Sequence, residues 1–204
     1  MIEAIHGNTH VGLQIGLAVG ARIYDPDGTL VEEIVQPGHS FVLAWATMLN
    51  HRFSSATMNT TAIDTGNTSR TLHTNTTYYR WNAAAADSTY GIAVGSGTNA
   101  VAMTDYALQT QIAHGTGAGQ LYYWDNDGYP VDSSGANPRY MNTSRAFQNQ
   151  SGTTISVSEV ALYVRFPDSG AVSRYFCMCR DLLSFNIGVG QLAIVQYSLV
   201  FNLT

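Results

Sequence analysis

Four aromatic residues and three aspartates lie between positions 122 and 132, and both groups could bind a ligand. Aromatic faces beside polar groups suit the rings of sugars. The predicted carbohydrate-binding residues are Tyr122, Tyr123, Trp124 and Tyr129. Alternate aromatic side chains of a strand can also belong to the core, so both interpretations stay open.

The aspartates of the same segment suggest calcium, which prefers carboxylate oxygens. The candidate ligands are Asp125, Asp127 and Asp132. The EF-hand spacing is not met, because Tyr123 precedes Asp125 by two residues and Ser134 stands where the closing glutamate is needed. A solvated Asx-rich turn is the alternative interpretation. We predict no metal and no other cofactor.

Other motifs resemble catalytic or nucleotide-binding sequences but lack a required residue. The segment Gly91–Thr98 is rich in glycine, yet it lacks the third glycine of a dinucleotide-binding loop. The spacing around Ser96 is wrong for the nucleophile elbow of a hydrolase. Lysine is absent, which excludes a Schiff-base lysine and a Walker-type phosphate loop. The sequence therefore predicts no enzymatic activity.

The carboxylates of the C-terminal third are better explained by ion pairs than by a glycosidase site. Glu159 lies on one predicted strand, and Asp181 follows Arg180 on another. A cross-strand pair, either Arg180–Glu159 or Arg145–Asp181, is the expected use of these charges.

Apolar and polar residues alternate with period 2 from Ile155 to Leu162, which predicts a strand. Asp25-Pro-Asp-Gly28 predicts a type I turn between two further strands. One amphipathic helix is expected near residues 41–53, with Ser40 as its N-cap. The predicted fold is mainly β, an antiparallel sandwich of jelly-roll type. Residues 1–20 are expected to form an arm or edge strand and residues 21–204 a single domain. The predicted core and assembly residues are Phe41, Trp45, Leu49, Val157, Val160, Leu162, Ile194 and Tyr197.

The composition favours self-association. Charged residues make up 11% of the 204 residues, against about a quarter in typical soluble domains. A chain with so little charge is expected to cover much of its surface with copies or partners. The net charge of −5, without a basic cluster, argues against nucleic acid. Cys177 and Cys179 are interpreted as small buried apolar residues. No signal peptide or membrane span is predicted, so synthesis is expected in the cytoplasm.

The order of several short motifs resembles structural proteins of tailed bacteriophages over roughly residues 35–200. Pro37, Gly38, Ser40, Phe41 and Val42 open the helix. The later motifs, in order, are Gly91–Thr98, Asp105–Leu108, Ile112–Gly115, Arg145–Gly152, Ile155–Leu162 and Arg180–Leu183.

The resemblance implies a component of the virion, assembled from many copies in the capsid, neck or tail and without chemistry of its own. Its partners would be copies of itself and other virion proteins, not nucleic acid or membrane. The alternative is a carbohydrate-binding or host-attachment module of the particle.

Overall fold

The computed structural model describes residues 2–4, 11–38, 40–53, 60–73, 79–127 and 139–203. In this part of the chain it is mainly β, with antiparallel strand pairing and one short helix, as predicted. The helix α1 is Leu43–Phe53. The strands are β1 Ile2–Ala4, β2 Val11–Tyr24, β3 Leu30–Gly38, β4 Thr61–Ile63, β5 Ser69–Thr71, β6 Gly91–Gly95, β7 Tyr122–Asn126, β8 Arg139–Gln148, β9 Ile155–Pro167, β10 Ser173–Ile187 and β11 Leu192–Leu203.

Two main sheets form a sandwich-like arrangement. The larger sheet has six strands in the order β1-β2-β11-β8-β7, with β3 also paired to β2. The smaller sheet has the order β10-β9-β6, and β4 pairs with β5. Tyr197 of the larger sheet donates a hydrogen bond to the Val160 carbonyl of the smaller sheet at 3.1 Å. The jelly-roll connectivity stays a prediction.

The core lies between the two sheets and continues beyond the smaller one. Of the expected core residues, Val157, Val160, Leu162 and Tyr197 are buried. Strand β9 is buried on both faces from Glu159 to Val164, because segments beyond the smaller sheet cover its second face. One such contact is the hydrogen bond from the Leu108 amide to the Tyr163 hydroxyl, 2.6 Å long.

Other expected core residues are less enclosed. Phe41 and Trp45 are partly buried and pack against the core, and Leu49 is half-buried. Ile194 is also half-buried and lies on the face of β11 that points away from the core. Alternation along β11 puts Ala193, Val195 and Tyr197 inside and therefore turns Ile194 outward.

The turn between β2 and β3 forms where it was predicted. The Gly28 amide donates to the Asp25 carbonyl at 2.9 Å, and Gly28 has a φ of 85°. Glycine accepts this left-handed backbone conformation without a steric penalty. The local turn chemistry of Asp25–Gly28 therefore suffices to place this hairpin.

The helix α1 begins two residues later than expected, and Ser40 is not its N-cap. The Val42 carbonyl accepts the first helical hydrogen bond, from the Trp45 amide. The Ser40 hydroxyl instead donates to the Asp181 carboxylate at 2.9 Å. The N-cap prediction is wrong because the Ser40 hydroxyl binds Asp181 instead of a backbone amide of the helix. Asp181 lies 141 residues away in sequence, so local sequence does not indicate this contact.

The suggested boundary at residue 20 falls inside strand β2. This strand continues from Val11 to Tyr24 and pairs with β11 along nearly its whole length. The division into an arm and a domain stays a prediction.

Candidate functional site

The predicted carbohydrate patch is split between two faces of strand β7. Tyr122 is half-buried and Trp124 is exposed on the outer side of the larger sheet. Tyr123 points into the core, where its hydroxyl donates to the Ile112 carbonyl at 2.7 Å. Burial raises the pKa of Tyr123 to about 12. Tyr129 lies outside the described residues. Among the described residues of the patch, Tyr122 and Trp124 lie on the outer side.

Trp124 is held in a defined position. Its ring makes an edge-to-face contact with Tyr122, with centroids 4.9 Å apart. Its carbonyl accepts a hydrogen bond from Arg145 Nε at 2.7 Å. A register shift between Tyr123 and Asn126 interrupts the pairing of β7 with β8 at this point. An exposed indole on a fixed backbone can act as a rigid binding surface.

Trp124 borders a groove of about 520 Å³, which we call the turn-end groove. The groove lies on the outer side of the larger sheet, next to the turn between β2 and β3. Its lining residues are Tyr24, Asp25, Pro26, Gly28, Trp124, Ala146, Gln148, Gly190, Leu192 and Ile194. Tyr24 and Gln148 were not predicted as site residues, because only strand pairing brings them near Trp124.

The calcium candidates do not form a cluster among the described residues. Asp125 and Asp127 are exposed, and Asp127 accepts a hydrogen bond from the Ser144 hydroxyl at 2.7 Å. Asp132 lies outside the described residues. Within the described ranges, no three His, Cys, Asp or Glu side chains come together as a metal site would require.

We call the outward surface of β2, β3, β8 and β11 the outer face. Among the side chains that the structure describes, this face carries little charge. Small residues line its centre: Gly16, Ala18 and Gly20 on β2, with Ser198 on β11 opposite Ala18. Val35 on β3 is 69% exposed. A shallow groove of about 190 Å³ runs between Val35 and Ile194.

One ion pair lies on the outer face. Arg22 and Glu33 are cross-strand neighbours, with Nε and Oε1 2.7 Å apart. Both side chains are exposed. This pair neutralises itself, so a partner covering the outer face would not bury an unbalanced charge there.

The predicted Arg180–Glu159 pair is confirmed, with Nε and Oε2 2.8 Å apart. Both residues are fully buried. The carboxylate also accepts hydrogen bonds from the backbone amides of Gly97, Gln109 and Thr110. Burial alone would raise the pKa of Glu159, but these amides and the Arg180 guanidinium outweigh burial and lower it. Glu159 therefore anchors the segment 97–110 to β9.

Arg145 anchors a second segment without a carboxylate partner. Its guanidinium donates to five backbone carbonyls, those of Ala84, Asp87, Tyr90, Ile92 and Trp124. It also lies over the Tyr123 ring, with Cζ 4.8 Å from the centroid. Burial lowers the pKa of Arg145 to about 10, so the group stays charged at neutral pH. Backbone acceptors leave no mark in the sequence, and this role was missed.

Cys177 and Cys179 are free, buried thiols, as interpreted from the sequence. Burial raises the pKa of both thiols. A thiol with a raised pKa is a poor nucleophile and a poor metal ligand at neutral pH.

Two hairpin turns share a motif that was missed in the sequence. Asp64-Thr-Gly-Asn-Thr-Ser-Arg70 and Asp168-Ser-Gly-Ala-Val-Ser-Arg174 both have the pattern Asp-x-Gly-x-x-Ser-Arg. Each aspartate accepts two backbone amides of its turn and an arginine Nε at 2.7 Å. The turns also touch, because the Ser169 amide donates to the Thr71 carbonyl. Comparing the chain with itself over seven residues would have found the pattern.

Comparison with known proteins finds no matching family model, no matching curated protein and no matching solved structure. Within the described residues, none of the helical structure is long and apolar enough to cross a membrane.

Proposed function

We propose that the protein is a non-enzymatic structural protein that assembles from many copies through its outer face. The observation that carries the proposal is the character of this face. Its centre is lined with glycine, alanine and serine, Val35 projects from it, and its charges in the described strands balance as the Arg22–Glu33 pair. A flat surface with little charge and an exposed apolar side chain favours contact with another copy of the chain.

The dimensions of the outer face support the same proposal. β11 has 12 residues and β2 has 14. With about 3.4 Å per residue and about 4.8 Å between strands, the face covers on the order of 700–800 Å². A stable interface takes about 800 Å² from each partner. A second copy seated on this face would therefore bury enough surface for a stable contact.

The use of the buried charges supports a non-enzymatic role. Glu159 is occupied by Arg180 and by backbone amides, and Asp181 accepts hydrogen bonds from Ser40 and Tyr197. Arg145 is occupied by carbonyls. These groups connect segments of the same chain, and their hydrogen bonds stabilise the fold.

The sequence resemblance to phage structural proteins suggests that the protein is part of a virion. In that setting the other partners would be further virion proteins, and the low charge of the chain would match a surface largely covered by neighbours. The order of the sequence motifs supports this placement in a capsid or tail.

Light scattering on a sizing column tests the assembly. The wild-type chain is expected to elute as an oligomer or a larger assembly, and Val35→Asp as a 22.1 kDa monomer. The control is Met103→Asp, because Met103 is 67% exposed but lies on a loop beside α1. A wild-type monomer at high concentration would contradict the proposal.

Carbohydrate binding in host attachment is the second candidate function. The turn-end groove favours it, since Trp124 and Tyr24 both border the groove. The residues involved differ from those predicted, because Tyr123 is buried.

A further inference from the structure

We propose that the turn-end groove binds a short neutral oligosaccharide, with Trp124 and Tyr24 as stacking surfaces and Gln148 as the hydrogen-bonding residue between them. This inference gives the second candidate function a defined site and ligand class. It does not depend on assembly through the outer face.

The strand register sets the spacing of the three side chains. Tyr24 pairs with Leu192, and Leu192 pairs with Gln148. Trp124 lies on β7, the next strand beyond β8. Gln148 pairs with Tyr122 on β7, and Trp124 lies two residues beyond Tyr122. At about 4.8 Å per strand and about 3.4 Å per residue, Tyr24 and Trp124 are therefore separated by about 16 Å. This span fits several linked sugar rings and is too long for a single ring.

The aromatic side chains provide the chemistry for the apolar faces of sugar rings. The face of an aromatic ring is electron-rich and attracts the C–H bonds of a pyranose. Trp124 is 40% exposed and fixed against Tyr122, so it loses little freedom when a ring stacks on it. Rigid, partly exposed aromatic residues bind at a low entropic cost.

Polar groups at the groove can orient the hydroxyls of the sugar. The Gln148 Oε1 accepts a hydrogen bond from Gln150 Nε2 at 2.9 Å, which directs the amide. Asp25 Oδ1 accepts from Gln191 Nε2 at 2.7 Å. A few placed polar groups within an apolar lining are the usual composition of a ligand site.

The charge around the groove selects against anionic ligands. Asp25 lines the groove, and Asp27 lies in the adjoining turn between β2 and β3. The hydrogen bonds from Thr29 lower the pKa of Asp27, so this carboxylate is charged at neutral pH. Like charges repel at a binding surface. Sialylated, sulfated and uronic-acid glycans are therefore disfavoured, and neutral ones are preferred.

The test is an array of neutral and anionic oligosaccharides, followed by calorimetric titration of the best neutral glycan. Wild-type protein is expected to bind neutral glycans of two or more rings. Trp124→Ala and Gln148→Ala should each weaken the titrated affinity at least tenfold. Tyr106→Ala is the control, because Tyr106 is an exposed aromatic residue beside α1, and its affinity should equal that of the wild type.

Two further measurements keep the outcomes distinct. The melting temperature of each variant is measured, and Tyr24→Ala serves as a third groove variant if Trp124→Ala unfolds. The array is repeated with Val35→Asp, so that a copy on the outer face cannot hide the groove. Absence of neutral glycan binding by both proteins, a preference for anionic glycans, or unchanged affinity in all groove variants would overturn the inference. None of these outcomes affects the light-scattering test of assembly.

Discussion

The hairpins β2–β3 and β9–β10 each contain an arginine–glutamate pair across their two strands. In β2–β3 the pair is Arg22–Glu33, 2.7 Å apart, and in β9–β10 it is Arg180–Glu159, 2.8 Å apart. The contact distances are nearly equal, but Glu33 and Arg22 are exposed whereas Glu159 and Arg180 are buried. Arg22 and Glu33 are directly paired across the strands, whereas Arg180 pairs with Ala161 and also contacts Asp105 at 2.8 Å. The two pairs therefore differ in environment and in the number of their partners.

The difference shows which surfaces of the sandwich are already covered by the chain. Around Glu159, the segment 97–110 supplies amide donors and covers the outward side of β9. The outer face at β2–β3 remains accessible, and it carries Val35 and a row of small residues. The same kind of pair is a structural anchor on one side and, in our proposal, part of an assembly surface on the other.

The first prediction compares the two glutamates directly. Glu159→Gln should lower the free energy of unfolding by about 3 kcal/mol, because it removes a buried carboxylate that contacts Arg180, while Arg180 keeps its contact with Asp105 at 2.8 Å. Glu33→Gln should change it by less than about 1 kcal/mol, because exposed ion pairs contribute little. Urea unfolding of both variants below the assembly concentration measures the two values. Equal effects would contradict the assigned roles.

The dependence of the free energy of unfolding on acidic pH is a second test of the role of Glu159. The pKa of Glu159 is lower in the folded state than its ordinary value. The contribution of Glu159 to the free energy of unfolding is therefore complete above the ordinary carboxyl pKa of about 4.3. It is lost as the pH falls through the pKa that Glu159 has in the folded state. Glu159→Gln should flatten the fall in stability below about pH 4. A slope identical to that of the wild type would show that Glu159 does not contribute to it.

A smaller effect is expected at the turns of the two hairpins. Ala171 has a φ of 60° in the β9–β10 turn, where the β2–β3 turn has Gly28 at 85°. The left-handed conformation costs a residue with a β-carbon about 1–2 kcal/mol. Ala171→Gly should therefore raise the free energy of unfolding by up to about 1 kcal/mol, and Gly28→Ala should lower it by about as much. Thermal melts of both variants check the opposite signs.

Local chemistry explains what could be predicted from the sequence. The Asp25–Gly28 turn depends on residues within the turn itself, and period 2 marks strands such as β9 directly. The Arg180–Glu159 pair was predictable because both residues lie on strands close in sequence. The N-cap role predicted for Ser40 was wrong because its hydrogen-bond partner, Asp181, is distant in sequence.

The candidate sites could be predicted only in part. Alternation showed that Tyr123 and Trp124 face opposite sides, but which side is the core depends on the position of β7 beside β8. Tyr24 and Gln148 reach the groove through the order of β2, β11 and β8 in the sheet. Such long-range pairing leaves no signal in a short stretch of sequence.

The central claim is that copies of the chain cover the outer face. Ser198→Cys places a thiol at the centre of this face, and Ser156→Cys places one at an exposed position of β9. The native thiols are buried and have raised pKa values, so they should react slowly. The rate of maleimide labelling is measured for both variants at high and low protein concentration. We predict that the thiol introduced by Ser198→Cys is protected at high concentration and becomes reactive on dilution, while the thiol introduced by Ser156→Cys reacts quickly at every concentration. Equal labelling of the two positions at every concentration would contradict the account.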